Sequence, residues 1–169
     1  MRSFADEKKT KTFRLLLSSP VPLREIVFGK FLACMIVVTV MILISSYSIG
    51  FLFLLGEPEL GPIVTGYLGV LLMAGCYVSV GVFASSLTDN QIVAAILTFG
   101  FSLFMWVIGW AAQAAGPTTG QVLQFLSVVD HLDRFLKGMV DTSDLVYYLS
   151  FILLSLFLCH RVLDSNRWR

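Results

Sequence analysis

Charged side chains are scarce in this chain. They make up 14% of its 169 residues, whereas 57% are hydrophobic. Residues 31–56 contain no Asp, Glu, Lys or Arg at all. A soluble domain of this length would need more polar surface than this composition provides. The composition therefore excludes an ordinary soluble protein and indicates a membrane protein.

Other absences bear on activity. The first three hydrophobic stretches have no carboxylate, Lys or Arg near their middle, where an ion-coupled pump normally keeps one. The sequence has no G-x-x-x-x-G-K-[ST] loop to cradle nucleotide phosphates. His131 and His160 have no Cys, Asp or Glu at ligand spacing within a span, which favours interfacial residues over metal ligands. We therefore expect no catalytic residue, no metal site, no cofactor bound by this chain, and no enzyme activity of its own.

Hydrophobic stretches long enough to cross a bilayer recur along the chain. As one α-helix at about 1.5 Å per residue, the first would reach roughly 37 Å, more than the ~30 Å hydrocarbon core. In the last stretch, His160 and Arg161 would extend to the headgroups. The predicted spans are residues 31–55, 61–86, 91–115 and 144–163. The predicted fold class is all-α, a polytopic membrane protein with four transmembrane helices.

Basic residues are concentrated at the two ends of the chain, whereas the loop with Glu57 and Glu59 has none. The connection over residues 116–144 is more acidic than basic. By the positive-inside rule, both termini, including the tail 164–169, and the turn at residues 87–90 face the cytosol. The basic residues at the ends are Arg2, Lys8, Lys9, Lys11, Arg14, Arg24, Lys30, Arg161, Arg167 and Arg169.

Small residues spaced four apart occur in the first two spans. Such pairs let helix backbones approach closely. Glycine is also common in any membrane helix, so both true helix contacts and background occurrence remain open. The candidate packing residues are Ser46, Gly50, Gly75, Ser79, Gly81 and Ser85.

The connection between the last two spans has an amphipathic segment over residues 118–140. Thr118 with Gln121, and Ser127 with Asp130, are typical helix-start signals, so one kinked helix or two short ones are possible. We expect this segment to lie on or dip into the outer leaflet. Its apolar face is formed by Val122, Phe125, Val129, Leu132, Leu136 and Val140.

Residues 1–30 form a cytosolic segment that is longer than a positive anchor requires. A helix is predicted over residues 4–17, and Pro20 and Pro22 then end it. An amphipathic helix joined to a span by a proline turn suits docking of a cytosolic partner. Binding of a basic face to anionic lipid is the alternative. The apolar face of this helix is formed by Phe13, Leu16 and Leu17.

Several short segments of the sequence resemble segments of a known protein family. They are MRSFADEKKTKTFRLLLSSPVPLREIVFGKFLA, then SSLTDNQIVAA, then HLDRFLKGMVDTSDLVYYLS to RVLDSNRWR. In this order around four spans they resemble ABC-2 type transporter permeases, and the last looks like the gliding-motility-associated branch. The resemblance covers nearly the whole chain. It implies an integral subunit of the bacterial cytoplasmic (inner) membrane that forms a translocation path. It also implies that the cytosolic coupling helix of this subunit docks on a separate ABC ATPase subunit.

The resemblance also implies further partners and residues. The partners are a second permease copy or a related permease, and the lipid bilayer, with no nucleic acid; ATP would be used by the ATPase subunit. Lys11 and Arg14 stand where the family often has Gly and Glu. The residues at or beside the coupling element are Glu7, Lys8, Lys11, Arg14, Leu15, Leu16, Ser19 and Pro20.

The number of spans separates this chain from the resembled permeases. They have more spans, and this sequence begins where their second span would have just ended, so we expect their first two transmembrane helices to be absent. A fragment, a mis-started reading and a short subunit completed by another membrane protein all fit. The competing function is a small four-span membrane scaffold or anchor without transport activity. The uncharged, Phe-rich spans fit lipids, polymers, peptides or drugs as substrates equally well.

Overall fold

The chain forms α-helices almost throughout the part that the structure, a computed structural model, describes: residues 23–56, 59–114 and 117–167. The predicted coupling-type helix and proline turn lie outside these residues. No strand occurs within the described ranges. The helices are α1 Leu23–Ser45, α2 Tyr47–Leu55, α3 Leu60–Leu87, α4 Gln91–Ala114, α5 Pro117–Leu126, α6 Val128–Leu136 and α7 Thr142–Arg167.

Four helical stretches in the described residues are long and apolar enough to span a membrane. They are Leu23–Phe51, Leu60–Leu87, Gln91–Ala112 and Thr142–Ser165. Their large apolar side chains are widely exposed, as expected where lipid or another apolar helix replaces water. The all-α fold class with four membrane-spanning helices is confirmed.

A local irregularity separates α1 from α2 within the first span. The hydroxyl of Ser46 donates a hydrogen bond to the carbonyl oxygen of Leu43 at 2.6 Å. Its backbone nitrogen still reaches the carbonyl oxygen of Ile42 at 3.0 Å. A serine that bonds back to the preceding turn often bends a helix. Backbone hydrogen bonds nevertheless continue across Ser46. Helix α1 and most of α2 therefore form one span, Leu23–Phe51.

The described residues pack into two compact units. The first comprises residues 23–34, 76–103 and 150–167. The second comprises residues 35–56, 59–75, 104–114 and 117–149. In the first unit, side chains from α1, α3 and α7 form one apolar core, which fixes these three helix segments side by side. The residues of that core are Val27, Val82, Leu156, Cys159 and Leu163.

Candidate functional site

The segment that joins α4 to α7, residues 117–141, contains two short helices; we call it the connecting segment. Between them, the Ser127 hydroxyl accepts a hydrogen bond from the backbone nitrogen of Asp130 at 3.2 Å, which is an N-cap. The sequence left open one kinked helix or two short ones, and the structure has two short helices. At the end of α6, Gly138 has φ +81°, and Met139 donates its backbone hydrogen bond to the Arg134 carbonyl at 3.1 Å. This is a Schellman stop, which favours glycine.

The buried face of α6 differs from the apolar face predicted from the sequence. Val128, His131 and Phe135 are buried, and their spacing places them on one side of the helix. Four members of the predicted apolar face are exposed instead: Val122, Phe125, Leu136 and Val140. Apolar side chains of a membrane protein can be stable facing lipid, so hydrophobicity alone does not identify the side that packs on protein.

Glycines allow α6 to approach its neighbours in the second unit. A Cβ added at Gly69 of α3 would lie 2.7 Å from the Cβ of Phe135, and one at Gly109 of α4 would lie 2.7 Å from the Ser127 hydroxyl. The Thr65 hydroxyl donates a hydrogen bond to the Phe135 carbonyl at 2.7 Å. Neither glycine is among the packing residues predicted from the sequence, although Thr65 stands four positions before Gly69.

A buried charge cluster joins α6 to α7; we call His131, Arg134 and Asp144 the histidine–aspartate cluster. The Nδ1 of His131 lies 2.6 Å from Oδ1 of Asp144, and both side chains are 0% exposed. The Arg134 guanidinium donates to the same carboxylate oxygen at 2.8 Å and is 42% exposed. The carboxylate thus has two hydrogen-bonding partners on α6. Sequence reasoning placed His131 at an interface, because Asp144 lies on another helix, outside local ligand spacing.

Hydrogen bonds hold both ring nitrogens of His131. Its Nε2 is 3.1 Å from the carbonyl oxygen of Phe125, a group that can only accept. Its Nδ1 lies 2.6 Å from Oδ1 of Asp144 and 2.8 Å from a guanidinium nitrogen of Arg134. Three polar side chains therefore meet at Nδ1, with Arg134 reaching toward the surface.

Two tyrosines of α7 extend the same contact. The Tyr147 hydroxyl donates to the Leu126 carbonyl at 2.7 Å, and the Tyr148 hydroxyl donates to the Val128 carbonyl at 2.8 Å. The ring of Tyr147 lies 4.1 Å from that of His131, centroid to centroid. Asp144, Tyr147 and Tyr148 share one face of α7 by their spacing. The start of α7 therefore fixes the junction between α5 and α6.

A cavity of about 300 Å³ lies beside the cluster. Its lining combines two amides, an aromatic ring, a carboxylate and a guanidinium, but no group of three His, Cys, Asp or Glu suited to a metal occurs in the described part of the chain. The polar contacts around this cavity hold the connecting segment against the start of α7. The lining residues are Gln121, Gln124, Phe125, Asp130 and Arg134.

The structure separates the predicted helix-packing residues into two groups. The four on α3, at positions 75, 79, 81 and 85, are buried. Ser46 is half-buried and Gly50 is exposed, and a Cβ added at Gly50 would meet nothing within 4 Å. Of the two candidates in the first span, only Gly50 therefore lies on an exposed surface. The coupling residues Glu7, Lys8, Lys11, Arg14, Leu15, Leu16, Ser19 and Pro20 lie outside the described residues.

The comparisons with known proteins point to one family. No curated protein and no solved structure matches the chain significantly. The sequence profile described as ABC-2 family transporter protein matches residues 1–162. That range covers α1 to α6 and most of α7, so the matched region contains the spans, the connecting segment and the histidine–aspartate cluster. The chain therefore belongs to the ABC-2 family of transporter proteins and is an integral membrane protein of the ABC transporter permease class.

Proposed function

We propose that this chain is a permease subunit that forms the translocation path of an ATP-binding cassette transporter and couples to a separate ATPase subunit. The observation that carries the proposal is the family match over residues 1–162 on a chain with four apolar, span-length helices. The sequence contains no nucleotide-binding loop of the Walker type. A partner would therefore bind and hydrolyse the ATP, and a second copy or related permease would complete the path.

The basic segment before α1 is the proposed contact with the ATPase. By resemblance to the family, the residues named above between Glu7 and Pro20 lie at or beside the coupling element. Helix α1 begins at Leu23, directly after Pro20 and Pro22 in the sequence. Because α1 runs without interruption from Leu23 to Ser45, a displacement at its start would be transmitted along a rigid rod. The basic ends of the chain support a cytosolic location for this segment by the positive-inside rule.

The connecting segment belongs, in this proposal, to the opposite end of the path. It has only two basic residues, Arg134 and Lys137, fewer than either end of the chain, which favours the outer side of the membrane. The histidine–aspartate cluster and the two tyrosines hold it against α7, and Gly69 lets it pack closely on α3. A fixed outer segment would close the path on that side when the transporter is at rest.

Purification from native membranes tests the proposal. The full-length chain, tagged at its C-terminus and extracted in a mild detergent, should bring with it an ATPase subunit that carries a Walker motif. ATP hydrolysis should follow that subunit and be absent from fractions holding the chain alone. A matched variant lacking residues 2–22 keeps every span, so it should insert normally and recover no ATPase.

Recovery of the inserted full-length chain without any ATPase would contradict the proposal. That result would favour the scaffold or anchor function instead. Equal recovery with and without residues 2–22 would leave the permease class intact but would reject the coupling segment. Mass spectrometry of the eluates separates these outcomes.

A further inference from the structure

A groove with basic residues at one end lies between α1 and α7 in the first unit. It has a volume of about 410 Å³. Val27 and Leu156 form its floor and are almost fully buried, at 2% and 4% exposed. We call this feature the basic groove, and neither the permease function nor the histidine–aspartate cluster uses it. Its lining residues are Arg24, Val27, Phe28, Leu153, Leu156, Phe157, His160 and Arg161.

The groove is built from two rows of side chains at helical spacing. On α7, Arg161, Phe157 and Leu153 follow one another at intervals of four, which puts them on one face. On α1, Arg24 and Phe28 do the same. Eight residues of helix cover roughly 12 Å, so an apolar strip of about that length runs from the cationic end toward the interior of the span. Cations at one end and an apolar strip behind them match an amphiphile with an anionic head.

The cations are held where an anion at the membrane surface could meet them. The Arg161 guanidinium lies over the Phe157 ring, 5.2 Å from its centroid, so it is directed toward the apolar strip. Within residues 23–56, 59–114 and 117–167, no ion pair involves Arg24 or Arg161. The nearest acidic residues in sequence, Glu25 and Asp164, make no ion pair with them. Guanidinium groups bind phosphate oxygens in a bidentate manner.

We propose that the basic groove binds one anionic phospholipid of the leaflet that surrounds this end of α1 and α7. The phosphate lies between Arg24 and Arg161 with His160 beside it, and an acyl chain lies along Phe28, Phe157 and Leu153. A free phosphate ion would use the cations but would gain nothing from the apolar strip, whereas a lipid uses both. Basic pockets between membrane helices are known to hold such headgroups. The inference uses contacts of the first unit only and does not depend on ATPase coupling.

Native mass spectrometry of the full-length chain in nanodiscs tests this binding. The discs contain phosphatidylglycerol or phosphatidylcholine, and lipids retained after release from the disc are counted. The chain should retain phosphatidylglycerol preferentially. Because each surface cation contributes about 1 kcal/mol toward an anionic lipid, an Arg24→Gln/Arg161→Gln variant should bind it roughly 10- to 30-fold more weakly. Lys137→Gln, which removes an exposed cation of the second unit, is the control and should bind as the parent does.

Two further variants distinguish a lipid from other occupants. Leu153→Trp fills the apolar strip and leaves every cation, so it should also weaken phosphatidylglycerol binding. Arg24→Lys/Arg161→Lys keeps the charge and should recover part of the affinity. Each variant should elute as a single species and keep its helical circular dichroism.

Each contrary result overturns the proposal. Normal lipid binding by Leu153→Trp, together with competition by inorganic phosphate, would make the groove an anion site. Equal retention of the two lipids, or of phosphatidylglycerol by the parent and the arginine double variant, would mean that something else covers the groove, such as a second copy or the first 22 residues. Because no ATPase is involved in the measurement, neither result bears on the proposed function.

Discussion

The Nδ1 of His131 and the Oδ1 of Asp144 lie 2.6 Å apart although the residues belong to different helices, and both side chains are fully buried. Burying a polar group is costly unless it is hydrogen-bonded. Here Nδ1 of His131 and Oδ1 of Asp144 bond each other, with Arg134 as a third member at the edge. The pair therefore makes the packing of α6 on α7 conditional on both residues.

Removing one member of the pair should be more harmful than removing both. Asp144→Leu leaves the buried Nδ1 of His131 without its carboxylate partner, and we expect a loss of about 1–3 kcal/mol in the free energy of unfolding. His131→Leu/Asp144→Leu removes both buried polar partners and should recover much of that loss. Thermal unfolding of the two single variants and the double variant in one detergent measures the difference. A double variant as unstable as the sum of His131→Leu and Asp144→Leu would show that the two side chains are not coupled.

Adding one methyl group at Gly69 should loosen the connecting segment. The new Cβ would lie 2.7 Å from the Cβ of Phe135 and 2.9 Å from Cδ1 of Leu132, and such overpacking typically costs about 1–3 kcal/mol. Gly100→Ala is the matched control, because nothing lies within 4 Å of its added Cβ and alanine favours a helix by about 1 kcal/mol.

Unfolding midpoints and protease sensitivity of the connecting segment compare these two variants. Gly69→Ala should unfold at a lower temperature than the parent, and Gly100→Ala at the same or a higher one. If both variants behaved alike, the close approach of α6 to α3 would not be a feature of the protein in its membrane.

The orientation of the chain can be tested by cysteine labelling in intact cells. Cys34, Cys76 and Cys159 are first replaced, and single cysteines are introduced at Glu59 and Asp89. We expect Glu59→Cys to react with an impermeant reagent directly and Asp89→Cys to react only after permeabilisation, because the basic ends should be cytosolic. The reverse pattern would overturn the topology.

Replacing Pro20 and Pro22 with Ala should uncouple transport and leave insertion unchanged. The prolines are expected to fix the angle between the coupling helix and α1, whereas insertion depends on the spans. The measurement is ATPase stimulation and transport in vesicles holding equal amounts of parent and variant chain. Parental stimulation and transport by the double variant would rule out a rigid link.

The fold was accessible from sequence because length and hydrophobicity alone decide whether a helix can span a bilayer. For the second span, the acidic pair Glu57 and Glu59 and the LTDN turn set the expected bounds of residues 61–86, and the structure has α3 over Leu60–Leu87. The start of α1 at Leu23 differs from the first predicted membrane residue, Phe31, because the helix begins before the uncharged run. The helix start at Ser127 was also predictable, because the pairing of Ser127 with Asp130 is a local sequence pattern. In the structure, Ser127 lies between α5 and α6.

The histidine–aspartate cluster could not be predicted in the same way. Its members come from two helices, so no periodic spacing brings His131 and Asp144 together. The buried face of α6 was also hidden, because in a membrane the apolar residues can face lipid and polar ones can face protein. The only signals in the sequence were a histidine, His131, among apolar residues of α6 and an aspartate, Asp144, in the first turn of α7. Nothing in the sequence shows that these two side chains are in contact.

The central claim, coupling of this permease to an ATPase through the N-terminal segment, is tested most directly by measuring the affinity of the co-purified ATPase for charge-reversed chains. Lys11→Glu/Arg14→Glu should weaken the complex by about 1 to 3 kcal/mol, because partly exposed ion pairs contribute modestly. Lys137→Glu, in the connecting segment, is the matched control and should bind with parental affinity. Equal affinity of the ATPase for the parent and the double variant, in the same detergent, would contradict the account.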